Sequence, residues 1–153
     1  MNQGKQANKT GRNLEHQIKE VLVSSGYNEI KDKKLFLDDL VFFEKVFSIH
    51  CYIGNSIYGT KLFTDIILYH PEKYPNRLAI EIKWQQVSGS VDEKFPYIIE
   101  NVKKRFPCPA IIILDGDGYK LGAKKWLEDQ IDNKFLGVYS LSEFIKFTNN
   151  GGM

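Results

Sequence analysis

Thr64-Asp65-Ile66-Ile67-Leu68-Tyr69 and Leu78-Ala79-Ile80-Glu81-Ile82-Lys83-Trp84 are two apolar runs rich in β-branched residues, and the polar stretch between them carries Pro71, Pro75 and Asn76. The pattern reads as the two strands of a hairpin with the proline-containing stretch as its turn. Side chains alternate faces along a strand, so Glu81, Lys83 and Gln85 share one side while Ile80, Ile82 and Trp84 share the other. If Asp65 pairs near Glu81, two carboxylates and an ammonium group meet. That set suits a hard divalent cation together with a bound phosphate, and makes chemistry on a phosphodiester the leading expectation. On a solvated sheet face a Glu-Ile-Lys tripeptide would be only a cross-strand charge pair. Here apolar residues flank Asp65 and Glu81, so both runs read as interior strands, where a charge is costly unless it is paired or bound to a metal.

The 153 residues suffice for one domain with a core that needs no covalent staples. No apolar run approaches membrane-spanning length, and the opening Met1-Asn2-Gln3-Gly4-Lys5-Gln6 is unlike a secretory signal, so a soluble, cytoplasmic protein without a membrane partner is expected. Cys51 and Cys108 lack metal-ligand spacing and read as buried thiols. A net charge of +2 does not by itself call for nucleic acid. Its distribution is more suggestive. Lys5, Lys9 and Arg12, then Lys31, Lys33 and Lys34, then Lys103-Lys104-Arg105, and finally Lys124-Lys125 form local clusters. Each alone is an ordinary solvated face; with a carboxylate centre they fit a DNA partner.

Residues 1–9 read as a flexible basic arm, 10–148 as a single domain and 149–153 as a disordered tail. Leu14, Ile18, Val21 and Leu22 have helical spacing, Thr10 or Asn13 can cap the helix start, and Gly26 marks its end. Glu15 lies at the edge of that apolar stripe and is a candidate third acid, or simply a favourable charge in a first helical turn. The segment 27–46 gives no clear element, though it holds Leu35-Phe36-Leu37, Asp38-Asp39 and Leu40-Val41-Phe42-Phe43. Val46 to Ile53 reads as a strand whose His50 belongs to the core or the sheet surface. Ser90-Val91-Asp92-Glu93 has capping-box spacing before a helix to about Phe106, which Pro96 should kink or begin. Ala110 to Leu114 is a buried strand, and Asp115-Gly116-Asp117-Gly118 is a turn, since it lacks the full spacing of a calcium loop. A helix over Lys120 to Ile131, a strand over Phe135 to Tyr139 and a helix over Leu141 to Phe147 complete the order. The expected class is α/β, a central mixed sheet with helices on both faces.

Thr64-Asp65 followed by Glu81-Ile82-Lys83 resembles the signature of the PD-(D/E)XK nuclease superfamily, an Asp on one hairpin strand and an acid-x-Lys on the next. Thr64 stands where the nominal motif has Pro; the Asp is the ligand, so the departure is tolerable. Glu15 matches the acid that many members place on their first helix. The resemblance implies a restriction-endonuclease-like core and Mg2+, with Mn2+ able to substitute, held by Asp65 and Glu81 with Glu15 assisting. Lys83 would orient or deprotonate the attacking water, and Gln85 would hold that water or the phosphate. Within the superfamily the chain looks most like the small intron-encoded homing endonuclease, a homotetramer.

The expected activity is therefore a sequence-specific endonuclease of double-stranded DNA working as a tetramer or dimer. A restriction enzyme or a Holliday-junction resolvase with the same core is the alternative, and a non-catalytic DNA- or protein-binding module is a further one. Candidate base-contacting segments are His70 to Arg77 and Asn55 to Lys61.

Overall fold

A computed structural model of the chain describes residues 3–36, 44–85 and 90–153. The elements run α1 (Gln3–Ser24), β1 (Asn28–Glu29), a 3₁₀ turn (Lys33–Phe36), β2 (Val46–Asn55), β3 (Lys61–His70), β4 (Tyr74–Trp84), α2 (Ser90–Lys104), β5 (Ala110–Asp115), α3 (Leu121–Asp129), β6 (Phe135–Tyr139) and α4 (Leu141–Asn149). The six strands form one sheet in chain order. β2, β3 and β4 pair antiparallel, whereas β1 with β2, β4 with β5 and β5 with β6 are parallel. Each parallel step from β4 onward needs a crossover, and α2 and α3 supply them.

Alternation along β5 explains why the sheet is covered twice. Ala110, Ile112 and Leu114 join one apolar cluster with Phe95, Ile99 and Val102 of α2 and Leu127 of α3. Ile111 and Ile113 join the other, with Leu14, Ile18 and Leu22 of α1 and Phe144 of α4. A strand apolar on both sides is stable only between two layers, so the α/β class, a mixed sheet with helices on both faces, follows from this run. α1 stops where the spacing predicted. Gly26 takes φ 94° and the Tyr27 N–H returns 3.0 Å to the Leu22 carbonyl.

Four boundaries differ from expectation. α1 begins at Gln3, so residues 3–9, expected as a flexible arm, continue the helix. Tyr74 to Trp84 is one strand, which puts Pro75 and Asn76 inside β4 and not in the turn. They fit there through a bulge: between the pairs Leu68↔Leu78 and His70↔Tyr74, β3 advances two residues and β4 four, with Arg77 at φ 74°. α2 passes through Pro96 unbroken, with the ring on its exposed side. The tail is docked, not disordered. Tyr74 Oη donates to the Gly152 carbonyl at 2.7 Å, Lys73 Nζ donates to that of Gly151, and Met153 is buried in the α1–α4 cluster. Asp38-Asp39, the Leu40–Phe43 run and residues 86–89 lie outside the described residues, as do the side chains of residues 3–10, 90 and 91, Lys5 and Lys9 among them.

Ile112 is fully buried on β5, and Phe63 is 54% exposed on β3. In urea denaturation Ile112→Ala is expected to lose about 2–5 kcal/mol through the cavity it leaves, while Phe63→Ala stays within about 0.5 kcal/mol of the parent.

Candidate active site

The β3–β4 ladder runs through Leu68↔Leu78, Ile67↔Ala79 and Ile66↔Ile80 and then stops. The next residues in register are Asp65 and Glu81. At this point Asp65 Oδ2 accepts a hydrogen bond from the Ile82 backbone N–H at 2.7 Å, so a side chain takes the place of a carbonyl and the strands part. β4 is not loosened by this, because Glu81, Ile82 and Lys83 pair on their other edge with Ile112, Ile113 and Leu114 of β5. Lys83 Nζ lies 3.5 Å from Glu81 Oε2 and 3.8 Å from Asp65 Oδ2, an ammonium group between two carboxylates. The Asp65 and Lys83 side chains are 30% and 27% exposed, so the centre is open on one side.

Burial separates the roles of the two acids. Glu81 is 7% exposed, and its Oε1 is buried with no hydrogen-bond partner among the described residues. Desolvation, reinforced by the charge of Asp65, pushes the Glu81 carboxyl up to about 7 against the opposing pull of Lys83. Burial by itself would lower the Lys83 pKa, but the charges of Glu81 and Asp65 outweigh it and raise the value above its ordinary level. Lys83 in this arrangement is a cation at neutral pH, suited to stabilising negative charge and poorly suited to taking a proton from water.

The remaining sequence candidates sit around this centre. Glu15 is held by His50, whose Nε2 lies 2.9 Å from Oε1 and 3.1 Å from Oε2 of the carboxylate. The pairs Ile49↔Ile66 and Cys51↔Thr64 bracket His50 and Asp65, so these two face each other across β2 and β3. His50 has φ 50° and a side chain 54% exposed, so of the core and sheet-surface positions its apolar run allowed it takes the surface one. The chain around it carries no signal for the pairing with Glu15, which arises only when α1 crosses β2. Gln85 is buried, and its Nε2 donates to the Gly118 carbonyl at 3.0 Å. Gly118 N–H returns a bond to the Gln85 carbonyl at 2.8 Å, and at Gly116, with φ 99°, any Cβ would strike that same carbonyl. Asp115 is the last residue of β5, and the bend begins at Gly116; the Asp115 carboxylate accepts from the N–H groups of Gly116 and Leu141 at 2.8 and 3.0 Å.

α2 contributes residues that sequence reading missed. Lys94, Tyr97, Ile98 and Asn101, spaced i, i+3, i+4 and i+7, line a cavity of about 210 Å³ with Glu81, Lys83, Leu62 and Phe106. The spacing was legible as one face of a helix, but not that this face overhangs β4. Several of the basic clusters, by contrast, are paired with nearby acids: Lys31 with Glu29, Lys103 with Asp132, Lys104 with Glu100, Lys124 with Glu143 and Lys125 with Asp129. Of the two candidate base-contacting segments, Asn55 to Lys61 joins β2 to β3 at the end of the hairpin nearer Asp65, and His70 to Arg77 lies at the far end, against the docked tail.

An Asp on one antiparallel strand, an acid-x-Lys on the next and a parallel strand supporting the second form the arrangement that the sequence resemblance implied. A family model described as the PD-(D/E)XK nuclease superfamily domain matches residues 6–151, and the chain belongs to that superfamily. Its members are generally nucleases and typically use divalent metal ions. No curated protein and no solved structure matches the chain significantly. Among the described residues, no three His, Cys, Asp or Glu side chains form a metal-binding group. The donors here are two carboxylates, one with an unpartnered buried oxygen, which fits a hard cation that completes its shell with water and phosphate oxygens. No helix among the described residues is long and apolar enough to cross a membrane.

Because the folded-state pKa of Glu81 lies above its value of 4.5 in the unfolded chain, its contribution to stability is complete below pH 4.5 and is lost as pH rises through about 7. Glu81→Gln, which cannot ionise, is expected to gain stability relative to the parent as pH rises over that range in cation-free denaturation curves. Asp65→Asn should lower the Glu81 pKa, read by carboxyl NMR titration.

Proposed function

We propose that this protein is a Mg2+-dependent endonuclease of double-stranded DNA, with Asp65 and Glu81 as metal ligands, Lys83 as the cationic catalytic group and Mn2+ as an acceptable substitute. The observation that carries the reading is the pair of carboxylates around Lys83 Nζ, one of them with a buried oxygen that has no hydrogen-bond partner among the described residues. A bound cation would polarise the phosphate and make water nucleophilic near neutral pH. Asp65 is pre-aimed by the Ile82 N–H and needs little reorganisation to serve as a ligand. Glu81 must be deprotonated to bind, and its raised pKa makes this step pH-dependent. Lys83, charged throughout, stabilises the negative charge that grows on the phosphate oxygens. Glu15 can join the ligand set by exchanging its partner His50 for the cation. Gln85 acts by fixing the end of β4, through its bond to Gly118.

One centre cuts one strand, so cleavage of a duplex calls for a homo-oligomer, a dimer or a tetramer. We extend the proposal to a sequence-specific homing endonuclease; the restriction and junction-resolving forms share the chemistry and differ in the DNA they accept. Incubation with a randomised linear duplex library and with a four-way junction, followed by sequencing of the broken ends, separates these forms.

Lys83→Ala is expected to cut at least about 100-fold more slowly than the parent while still shifting DNA in a gel, because it removes charge stabilisation in the transition state and leaves the metal ligands in place. A fully active Lys83→Ala protein would end the proposal. Mn2+ affinity, measured by calorimetry, should rise as pH passes through about 7 and be lost in Glu81→Gln.

A further inference from the structure

The β2–β3 hairpin projects past the point where β3 and β4 part, and its surface is aromatic. Tyr58 is 76% exposed, Phe63 54% and Tyr52 38%. Tyr52 and Phe63 are partners in the ladder, and their rings meet edge to face with centroids 5.8 Å apart. Tyr58, in the loop, stacks on Tyr97 of α2 with centroids 5.0 Å apart and planes at 24°. Tyr97 lines the same cavity as Glu81 and Lys83. Phe63 precedes Asp65 by two residues, about 7 Å along a strand. The Tyr58–Tyr97 pair therefore borders the cavity of the catalytic carboxylates, and the Tyr52–Phe63 pair lies on the opposite face of the hairpin from Leu62, which lines that cavity.

Charge chooses the occupant. Between Glu44 and Asp65 the chain has no acidic residue. Lys61 on the hairpin and Lys94 on α2 are exposed, and among the described residues neither is engaged in a salt bridge, unlike the paired lysines of the clusters elsewhere. An aromatic hairpin with no carboxylate between Glu44 and Asp65, carrying an unpaired ammonium group and adjoining a phosphodiester-cleaving centre, matches a polyanion whose bases are free to lie on rings. Paired bases offer their flat faces only to one another, so a duplex could use the lysines but not the aromatic faces.

We propose that the β2–β3 hairpin offers stacking sites for unpaired bases beside the cleavage site, Tyr58 at its tip on the cavity side and Tyr52 with Phe63 on its other face, and that the preferred substrate is DNA with a single-stranded or unstacked segment next to the scissile phosphate, as at a fork, flap or branch. The proposal rests on the nuclease reading for the direction from which DNA approaches. Bases of the unpaired strand lie on the hairpin while its backbone passes Lys61 and Lys94 toward Asp65 and Glu81.

The test uses the full-length chain in EDTA, where no strand is cut, and three labelled probes of one sequence: a single strand, a fork with one unpaired arm and a fully paired duplex. Each carries 2-aminopurine in the segment next to the presumed cut, and binding is read by anisotropy and by quenching of that base. The parent should prefer the fork to the duplex and quench the unpaired 2-aminopurine. Tyr58→Ala and Phe63→Ala should each weaken fork and single-strand binding about ten- to hundredfold, abolish most quenching and leave duplex affinity within about twofold. Tyr58→Phe, which keeps the ring, should behave as the parent, and Lys61→Ala should flatten the salt dependence on all three probes. Should an alanine variant lower the melting temperature, leucine at the same position keeps the apolar volume without the aromatic face and replaces it.

Parental affinity and quenching in the alanine variants would overturn the proposal, as would equal losses on all three probes or no binding by the parent. Conversion of an oligomer to monomers by the same substitutions, with quenching unchanged, would assign the surface to a second copy of the chain and also overturn it. Restoring Mg2+ separates the two ideas. Fork cutting and fork quenching indifferent to the aromatic residues sink the platform and leave the nuclease, whereas aromatic-dependent quenching without any cutting sinks the nuclease and leaves the platform.

Discussion

A single hydrogen bond, from the Ile82 N–H to the Asp65 carboxylate, marks the place where the sheet stops being a scaffold and becomes a site. Below it β3 and β4 are laddered through apolar pairs, and above it the two strands separate. A buried backbone N–H must find an acceptor, and the cheapest acceptor at a parting ladder is a side-chain oxygen from the departing strand. Meeting that demand with an aspartate sets a negative charge in register with Glu81. The lysine two residues further on then reaches both carboxylates because side chains on a strand repeat every second position.

The support behind this centre is the parallel pair β4–β5. Glu81 to Lys83 are paired with a strand on one edge only, β5, which in turn is buried on both faces. Such a strand has little freedom to shift, so the carboxylate and the ammonium group project from a fixed backbone. The cost is electrostatic. Glu81 is desolvated next to a like charge, and its carboxyl is pushed up to about 7. A group kept poorly solvated and half-satisfied in the folded protein is favourably placed to bind a cation, because binding removes the repulsion that folding imposed.

Much of this was legible in the chain. The two apolar runs, the Glu81-Ile82-Lys83 spacing and the wholly apolar Ala110 to Leu114 stretch led to the α/β class and to three residues that do converge. The helical spacing of Leu14, Ile18 and Leu22 and the stop at Gly26 were local signals that tertiary packing left intact. Where the reading departed from the structure, long-range contacts were responsible. Pro75 and Asn76 look like turn residues, yet a bulge admits them to β4. The Gly151-Gly152 tail looks unstructured, but Lys73 and Tyr74 bind its carbonyls and Met153 fills a gap in the core. Nothing local distinguishes His50 from other strand residues, and its pairing with Glu15 joins positions 35 apart in the chain.

Local chemistry alone determined the alternation of elements, the acid–acid–lysine set and the two-sided burial of β5, because each depends on periodicity within a few residues or on a short motif. Only the folded chain decided which of the five candidate residues meet, that one Glu81 oxygen is buried without a partner among the described residues, and that Tyr97 and the β2–β3 hairpin border the site. Those outcomes depend on how separate elements cross one another, and the free energy that governs the crossing is spread over the whole core instead of being written at any single position.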